Sequence, residues 1–163
     1  MNVTIDLMNA CADASTPEAS DFQHWTEATL DAVAASGHHL PDSLELSIRV
    51  VDETESAALN ETWRHKQGPT NILSFPFAGF QGTDVNLLGD LAICAPLVAR
   101  EAAEQDKTET AHWAHLTVHG VLHLNGYDHE EDHKALQMET LETSILQGLG
   151  YPDPYHQDIP GNE

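Results

Sequence analysis

The sequence predicts a single α+β domain over residues 1–150, in which about five helices pack a small mixed sheet of about four strands. Residues 44–50 alternate apolar and polar side chains, as a half-buried strand does, and three other short segments have strand character. Between and after these segments the apolar residues recur at helical spacing. With 163 residues, 40% of them hydrophobic, the chain is long enough to bury one core.

Nine segments have the apolar spacing and boundary residues of strands or helices. In chain order they are strand 2–7, helix 15–37, strand 44–50, helix 52–63, strand 70–76, strand 87–95, helix 96–105, helix 108–125 and helix 131–149. The first strand places Val3, Ile5 and Leu7 on one face. The third strand, 70–76, follows a Gly68-Pro69 turn. The fourth strand, 87–95, is a nearly continuous apolar run, as in a strand buried on both faces.

The predicted helices are marked by their first residues or by an apolar stripe. Asp52 followed by Glu55 resembles a capping box, and Pro17 and Pro96 suit the first turn of a helix. In the last helix one face carries Met138, Leu141, Ile145 and Leu149. The tail 151–163 holds three prolines and little apolar material, so we expect it to fray.

The composition excludes several classes of protein. No apolar run approaches the ~18 residues of a membrane-spanning helix, so no membrane association is expected. Residues 1–14 lack the basic and apolar regions of a signal peptide. The two cysteines, Cys11 and Cys94, form no Cys-x-x-Cys pair and suit a reduced core. These observations predict a cytoplasmic protein.

The net charge of −21 argues against a simple nucleic-acid-binding surface, because such surfaces are basic. The 27 acidic residues are nevertheless unevenly spread. Residues 64–83 and 110–127 contain no Asp or Glu, and the first of these segments holds Arg64 and Lys66. Burial alone explains most of the second segment. The first is a candidate surface for an anionic substrate.

Three histidines close to one another indicate a metal site. His119 and His123 are four residues apart and therefore share one face of a helix. Gly126 can take the left-handed conformation that ends a helix, and the chain then returns His129 toward the first two. Three protein ligands with one open position are typical of a catalytic zinc site. Nickel or copper also accept such ligands.

Two alternatives concern this motif. The triad His115, His119 and His123 would have to span about 12 Å of helix axis to share one ion, which makes it the weaker set of ligands. Metallopeptidases with the same histidine spacing carry a glutamate base after the first histidine. Here that residue is Gly120, which has no side chain, and this difference argues against peptidase activity.

The histidine motif is preceded by other distinctive segments. They are Leu59-Asn60, Arg64, Pro69-Thr70-Asn71-Ile72-Leu73-Ser74-Phe75-Pro76 and Leu88-Gly89-Asp90-Leu91. With His119-Gly120-Val121-Leu122-His123 and Gly126-Tyr127-Asp128-His129, this combination resembles the YbeY family of bacterial endoribonucleases, in particular its gammaproteobacterial members. The resemblance covers about residues 44–149, without departure at these positions.

The resemblance implies a zinc-dependent, single-strand-specific endoribonuclease that acts in 16S ribosomal RNA 3′-end maturation and ribosome quality control. It implies one Zn²⁺ ion per chain, held by His119, His123 and His129. It also implies Arg64 as the functional arginine, and single-stranded RNA, ribosomal particles and assembly factors as partners. The oligomeric state is left open.

The residues themselves allow a sketch of the chemistry. Zinc polarises a phosphate oxygen or activates water, and a guanidinium such as that of Arg64 matches the charge that develops on phosphate. The nucleophile stays open between activated water and the RNA 2′-OH. Several neighbours have two alternative roles. Asp128 and Asp90 suit either the site or turns, Tyr127 and Trp113 either base stacking or the core, and Ser74 and Asn71 either substrate binding or the strand.

Two other functions compete with the endoribonuclease. A non-catalytic, metal-stabilised assembly factor for ribosomal particles agrees with the sparse basic charge. A zinc peptidase with an unusual base is disfavoured by Gly120.

Overall fold

The computed structural model describes residues 2–11, 15–77, 86–128 and 130–155. Within these ranges, four strands and five helices follow one another along the chain. They are β1 Asn2–Asn9, α1 Ala19–Ala35, β2 Ser43–Val51, α2 Glu53–Arg64, β3 Ile72–Pro76, β4 Leu87–Cys94, α3 Ala95–Glu104, α4 Glu109–Leu124 and α5 Asp132–Gly148. The predicted α+β class is confirmed, and every predicted element is present with ends that differ by a few residues.

The strands form one mixed sheet in the order β1-β2-β4-β3. β1, β2 and β4 run parallel, and β3 is an antiparallel edge strand beside β4. On β2, Leu44, Leu46 and Ile48 alternate with more exposed residues, as the sequence predicts. The parallel β1 and β2 are joined by α1, as expected for a crossover connection.

Helix α4 lies in the middle of the domain and is buried on most of its surface. Such a helix is a core element rather than an amphipathic surface helix. Its Trp113 packs edge-to-face on Phe22 of α1, with ring centroids 5.9 Å apart. Core packing is therefore the role of Trp113, which is only 2% exposed.

Helix α4 approaches the sheet closely at Gly120. A Cβ atom at this position would lie 2.7 Å from Leu91 Cδ2 and 2.8 Å from Ile72 Cδ1. Gly120 therefore faces β3 and β4, and the absence of a side chain allows the helix to pack there. This contact fixes α4 against the strands that flank the candidate site.

The start of α4 and its end have clear local causes. The Thr108 hydroxyl accepts a hydrogen bond from the Ala111 N–H at 3.1 Å, which caps the helix. At the other end Gly126 has φ +95°, the left-handed conformation predicted for it. The predicted cap of α2 is also present, since the Asp52 carboxylate accepts from the Glu55 N–H at 2.8 Å.

The start of the tail differs from the prediction that the chain frays from residue 151. Tyr151 packs against Trp25 with ring centroids 6.5 Å apart, and the Tyr155 hydroxyl donates a hydrogen bond to Glu142. The side chains of Tyr151 and Tyr155 thus hold the first residues of the tail against α1 and α5. Residues 156–163 lie outside the described residues. In the part of the chain that the structure describes, no helix is both long and apolar enough to cross a membrane.

Candidate functional site

Helix α4 places His119 and His123 side by side, one turn apart. Their ring centroids are 4.6 Å apart and the ring planes meet at 78°. Both side chains are partly exposed, in contrast to the fully buried residues around them. The prediction that these two imidazoles share one face of a helix is therefore confirmed, and they form the centre of the candidate site.

The third predicted ligand, His129, lies outside the described residues. Among residues 2–11, 15–77, 86–128 and 130–155, no three His, Cys, Asp or Glu side chains form a group that could hold a metal ion. The three-histidine zinc site stays a prediction. The described structure contains one part of this predicted site, namely two adjacent imidazoles at the end of α4, next to the Gly126 turn.

A carboxylate that sequence analysis did not predict completes the surroundings of His119. Glu142 of α5 is fully buried, and its Oε2 lies 2.5 Å from His119 Nδ1. Its Oε1 accepts hydrogen bonds from the Tyr155 hydroxyl and lies 3.2 Å from His115 Nε2. Burial alone would raise the pKa of the Glu142 carboxyl, but hydrogen bonds from His115 and His119 outweigh it and lower the pKa to about 2. Glu142 is thus ionised at neutral pH.

His115 is one turn before His119 but is turned toward Glu142. Its Nε2 contacts the carboxylate, and its Nδ1 is buried without a hydrogen bond to any described residue. Burial lowers the pKa of His115 despite the nearby carboxylate. This arrangement places His115 with the groups that surround Glu142, and it favours the predicted ligand set over the triad that includes His115.

A second buried histidine contact stabilises the beginning of α4. His112 Nε2 lies 2.8 Å from Glu101 Oε1 of α3, and Asn71 Nδ2 donates to the same carboxylate at 3.0 Å. The hydrogen bond from His112 lowers the pKa of Glu101 against the opposing effect of burial. Asn71 lies directly before β3 rather than within the strand, and its amide contacts α3 through Glu101.

Arg64 is the last residue of α2 and is exposed. It makes no hydrogen bond or ion pair with another described residue. Its neighbour Trp63 is 64% exposed and contacts Phe75 of β3, with ring centroids 6.0 Å apart. The exposed Trp63 is a surface feature that sequence analysis missed.

Strand β3 lies between Trp63 of α2 and the histidine helix α4. Its Ile72 faces Gly120 of α4, whereas Phe75, three residues on, faces Trp63 on the other side of the sheet. Trp63, which precedes Arg64 in α2, therefore contacts the face of β3 that is turned away from the histidine helix. The described contacts do not join the guanidinium to the imidazoles directly.

Asp90 lies on the face of the sheet that is turned away from α4. The neighbouring Gly89 and Leu91 face α4, and successive residues of a strand alternate between faces. Asp90 lines a surface groove of about 760 Å³ together with Met8, Arg49 and Phe75. Of the two roles left open for Asp90, a place at the histidine site and a turn, the structure shows neither, because the residue lies inside β4 and points to the other side of the sheet.

Three other candidate residues have structural positions that agree with the second role considered for each. The Asp128 carboxylate accepts a hydrogen bond from the Glu130 N–H at 3.2 Å, as a turn residue does. Tyr127 is 9% exposed and its ring lies 5.4 Å from that of His38, which makes it a core residue rather than an open platform for bases. Ser74 is partly buried within β3.

Comparison with known proteins finds related sequences and a related fold. The family model described as "Endoribonuclease YbeY" matches residues 8–150. A protein of that name from Nitrosococcus oceani is 54% identical over 157 residues, which cover 95% of this chain and 98% of the relative. Another, from Methylococcus capsulatus, is 50% identical and covers 96% and 99%. A solution structure of a Thermotoga maritima protein has a TM-score of 0.58 and 23% identity over 95% of this chain and 99% of that one, which shows a shared fold.

Proposed function

This chain belongs to the YbeY family of endoribonucleases, and from this membership we propose that it is a zinc-dependent endoribonuclease that cuts single-stranded RNA. The observation that carries the proposal is the 54% identity to a named endoribonuclease over nearly the whole chain. The reaction is cleavage of a phosphodiester bond. Maturation of the 16S ribosomal RNA 3′ end and ribosome quality control are the proposed processes, which take place in the cytoplasm.

The proposed cofactor is one Zn²⁺ ion per chain, held by His119, His123 and His129. The chemistry of the donors supports it, because neutral imidazoles are good zinc ligands and His119 already has a carboxylate on its other ring nitrogen. A bound zinc ion supplies Lewis-acid chemistry at the phosphodiester and activates water.

Arg64 is proposed to bind the phosphate that is cleaved. Its guanidinium is exposed, is not engaged by a carboxylate among the described residues, and lies in the acid-free segment 64–83. A guanidinium offers two parallel N–H donors to two phosphate oxygens, which stabilises the charge that builds up during cleavage.

The position after His119 supports an RNase over a peptidase. Gly120 faces Leu91 and Ile72 in the packed contact between α4 and the sheet. A glutamate base could not occupy this position without moving the helix from the strands. The chain therefore has no carboxylate where peptidases with this histidine spacing place their base.

The net negative charge of the protein affects which RNA-containing partners it can bind. With six Lys and Arg against 27 Asp and Glu, the protein should bind naked RNA weakly and with strong salt dependence. We propose that ribosomal particles and assembly factors bring the basic surface, while this chain contributes the cleavage site. The same charge favours the second candidate, an assembly factor that binds ribosomal particles without cutting RNA.

The proposal is tested with end-labelled RNA of the 16S 3′ region, offered single-stranded, annealed to its complement, and within ribosomal particles. We expect cleavage of the single strand and of the particle, and at least about tenfold slower cleavage of the duplex, whose stacked strand is held away from the site. A 2′,3′-cyclic phosphate end would assign attack to the 2′-OH, and a simple phosphate end to water. Absence of cleavage on all three substrates would favour the non-catalytic factor.

A further inference from the structure

The side chain of Glu142 is a carboxylate without solvent exposure in the middle of the helical layer. A buried charge is costly unless several donors surround it. In α5 this residue occupies the same face as Met138 and Ile145, which are ordinary core residues. The carboxylate therefore requires an explanation that packing alone does not give.

The three contacts of the Glu142 carboxylate connect it to the histidine site. One oxygen, Oε2, lies 2.5 Å from His119 Nδ1. The other, Oε1, accepts a hydrogen bond from Tyr155 and lies 3.2 Å from His115 Nε2. Imidazoles that bind a metal almost always donate their other ring N–H to a carboxylate, carbonyl or water, so we assign the proton of this contact to Nδ1 of His119.

We propose that Glu142 is the positioning residue of the metal centre, a role that rests on the proposed function. By accepting from Nδ1–H, it holds the His119 ring in one tautomer and one orientation, with Nε2 as the nitrogen that binds the ion. A carboxylate behind a ligand imidazole also makes the ring a stronger electron donor. Glu142 does not touch substrate and acts only through His119.

Tyr155 and His115 hold the carboxylate in place. Tyr155 belongs to the segment that follows α5, and its hydroxyl donates to the oxygen that does not contact His119. His115 contacts the same oxygen from α4. With Oε1 held from two sides, Oε2 stays directed at His119. The first residues of the C-terminal segment are therefore part of the proposed metal centre.

The first test reads the tautomer of His119 directly. Long-range ¹H–¹⁵N NMR of the metal-free protein, at a pH where imidazoles are neutral, distinguishes Nδ1–H from Nε2–H. We expect Nδ1–H in wild type and in Glu142→Gln, whose amide keeps one acceptor oxygen, and a mixture in Glu142→Leu, which keeps none. Glu139→Gln, a charge removal on the same helix at a partly exposed position, serves as control and should match wild type.

The second test measures zinc affinity by competition with a chelator. We expect a loss of about 10–100-fold for Glu142→Leu, a smaller loss for Glu142→Gln, and a loss below about tenfold for Tyr155→Phe. An Nε2–H tautomer in wild type, or wild-type zinc affinity in Glu142→Leu, would overturn the proposal. A wild type that binds no zinc would count against the proposed function, while the tautomer comparison would still decide what Glu142 does.

Discussion

Replacement of His123 by alanine is expected to lower the rate of single-stranded RNA cleavage by at least about 1000-fold. The variant loses one of three proposed zinc ligands, and Lewis-acid stabilisation of a developing charge is worth several kcal/mol. Because the side chain is partly exposed at the end of α4, its removal should change the free energy of unfolding by only about 1 kcal/mol. Cleavage rates and denaturant unfolding of identically purified proteins measure the two effects.

Two further variants make this result specific. His133→Ala removes an exposed imidazole from α5, where its only described ion pair is with Glu131, and should cleave like wild type.

Arg64→Ala should keep its zinc and lose about 100-fold or more in rate, because the ion and the phosphate contact are separate parts of the site. A His123→Ala protein that cleaves as fast as wild type would place the activity elsewhere or in a contaminant.

Replacement of Gly120 by glutamate is expected to lower the free energy of unfolding by more than about 3 kcal/mol. Even the Cβ atom would lie 2.7 Å from Leu91 Cδ2 and 2.8 Å from Ile72 Cδ1. The two side-chain ends can move aside for a methyl group, but a longer side chain forces α4 from the sheet and buries a carboxylate without a partner. Denaturant unfolding monitored by far-ultraviolet circular dichroism measures the loss.

The matched control is Gly148→Glu. Gly148 is also in a helix, but a Cβ atom there would meet nothing within 4 Å, so the substitution should change stability by no more than about 1 kcal/mol. Equal stability of the two variants would show that Gly120 does not face a packed contact. A stable Gly120→Glu protein that cleaves a labelled peptide would revive the peptidase hypothesis.

The sequence predicts the elements well where one local pattern decides them. Alternation along 44–50, the Asp52 cap and the Gly126 turn each follow from neighbouring residues, and each is present in the structure. The close pair of His119 and His123 likewise follows from helical spacing alone. The resemblance to a known family adds a function that no local pattern contains.

Glu142 is the important residue that sequence analysis missed. It contacts His119 across 23 positions of the chain, and its residue type alone does not distinguish it among 27 acidic residues. One signal was available, since Glu142 falls four residues after Met138 and three before Ile145, on the apolar face of the last helix. A carboxylate in that stripe predicts a buried charge with partners from other elements.

The position of Asp90 and the difference at the tail have physical causes as well. Asp90 lies inside β4, and the alternation of a strand turns it from α4 while Gly89 and Leu91 face the helix. Tyr151 and Tyr155 fix the first part of the tail through Trp25 and Glu142, contacts that depend on the tertiary fold. The predicted strand 87–95 already contains Asp90, whereas the local composition of the tail could not predict its contacts.

The central claim is that a zinc ion at the histidines of α4 carries the RNase activity. Titration of metal-free protein with Zn²⁺, with the cleavage rate of single-stranded RNA measured at each step, tests this most directly. We expect a rate that rises in proportion to added zinc and levels off at about one ion per chain, with no rise for His123→Ala. Full cleavage by the metal-free protein, or stoichiometric zinc binding without a rise in rate, would contradict it.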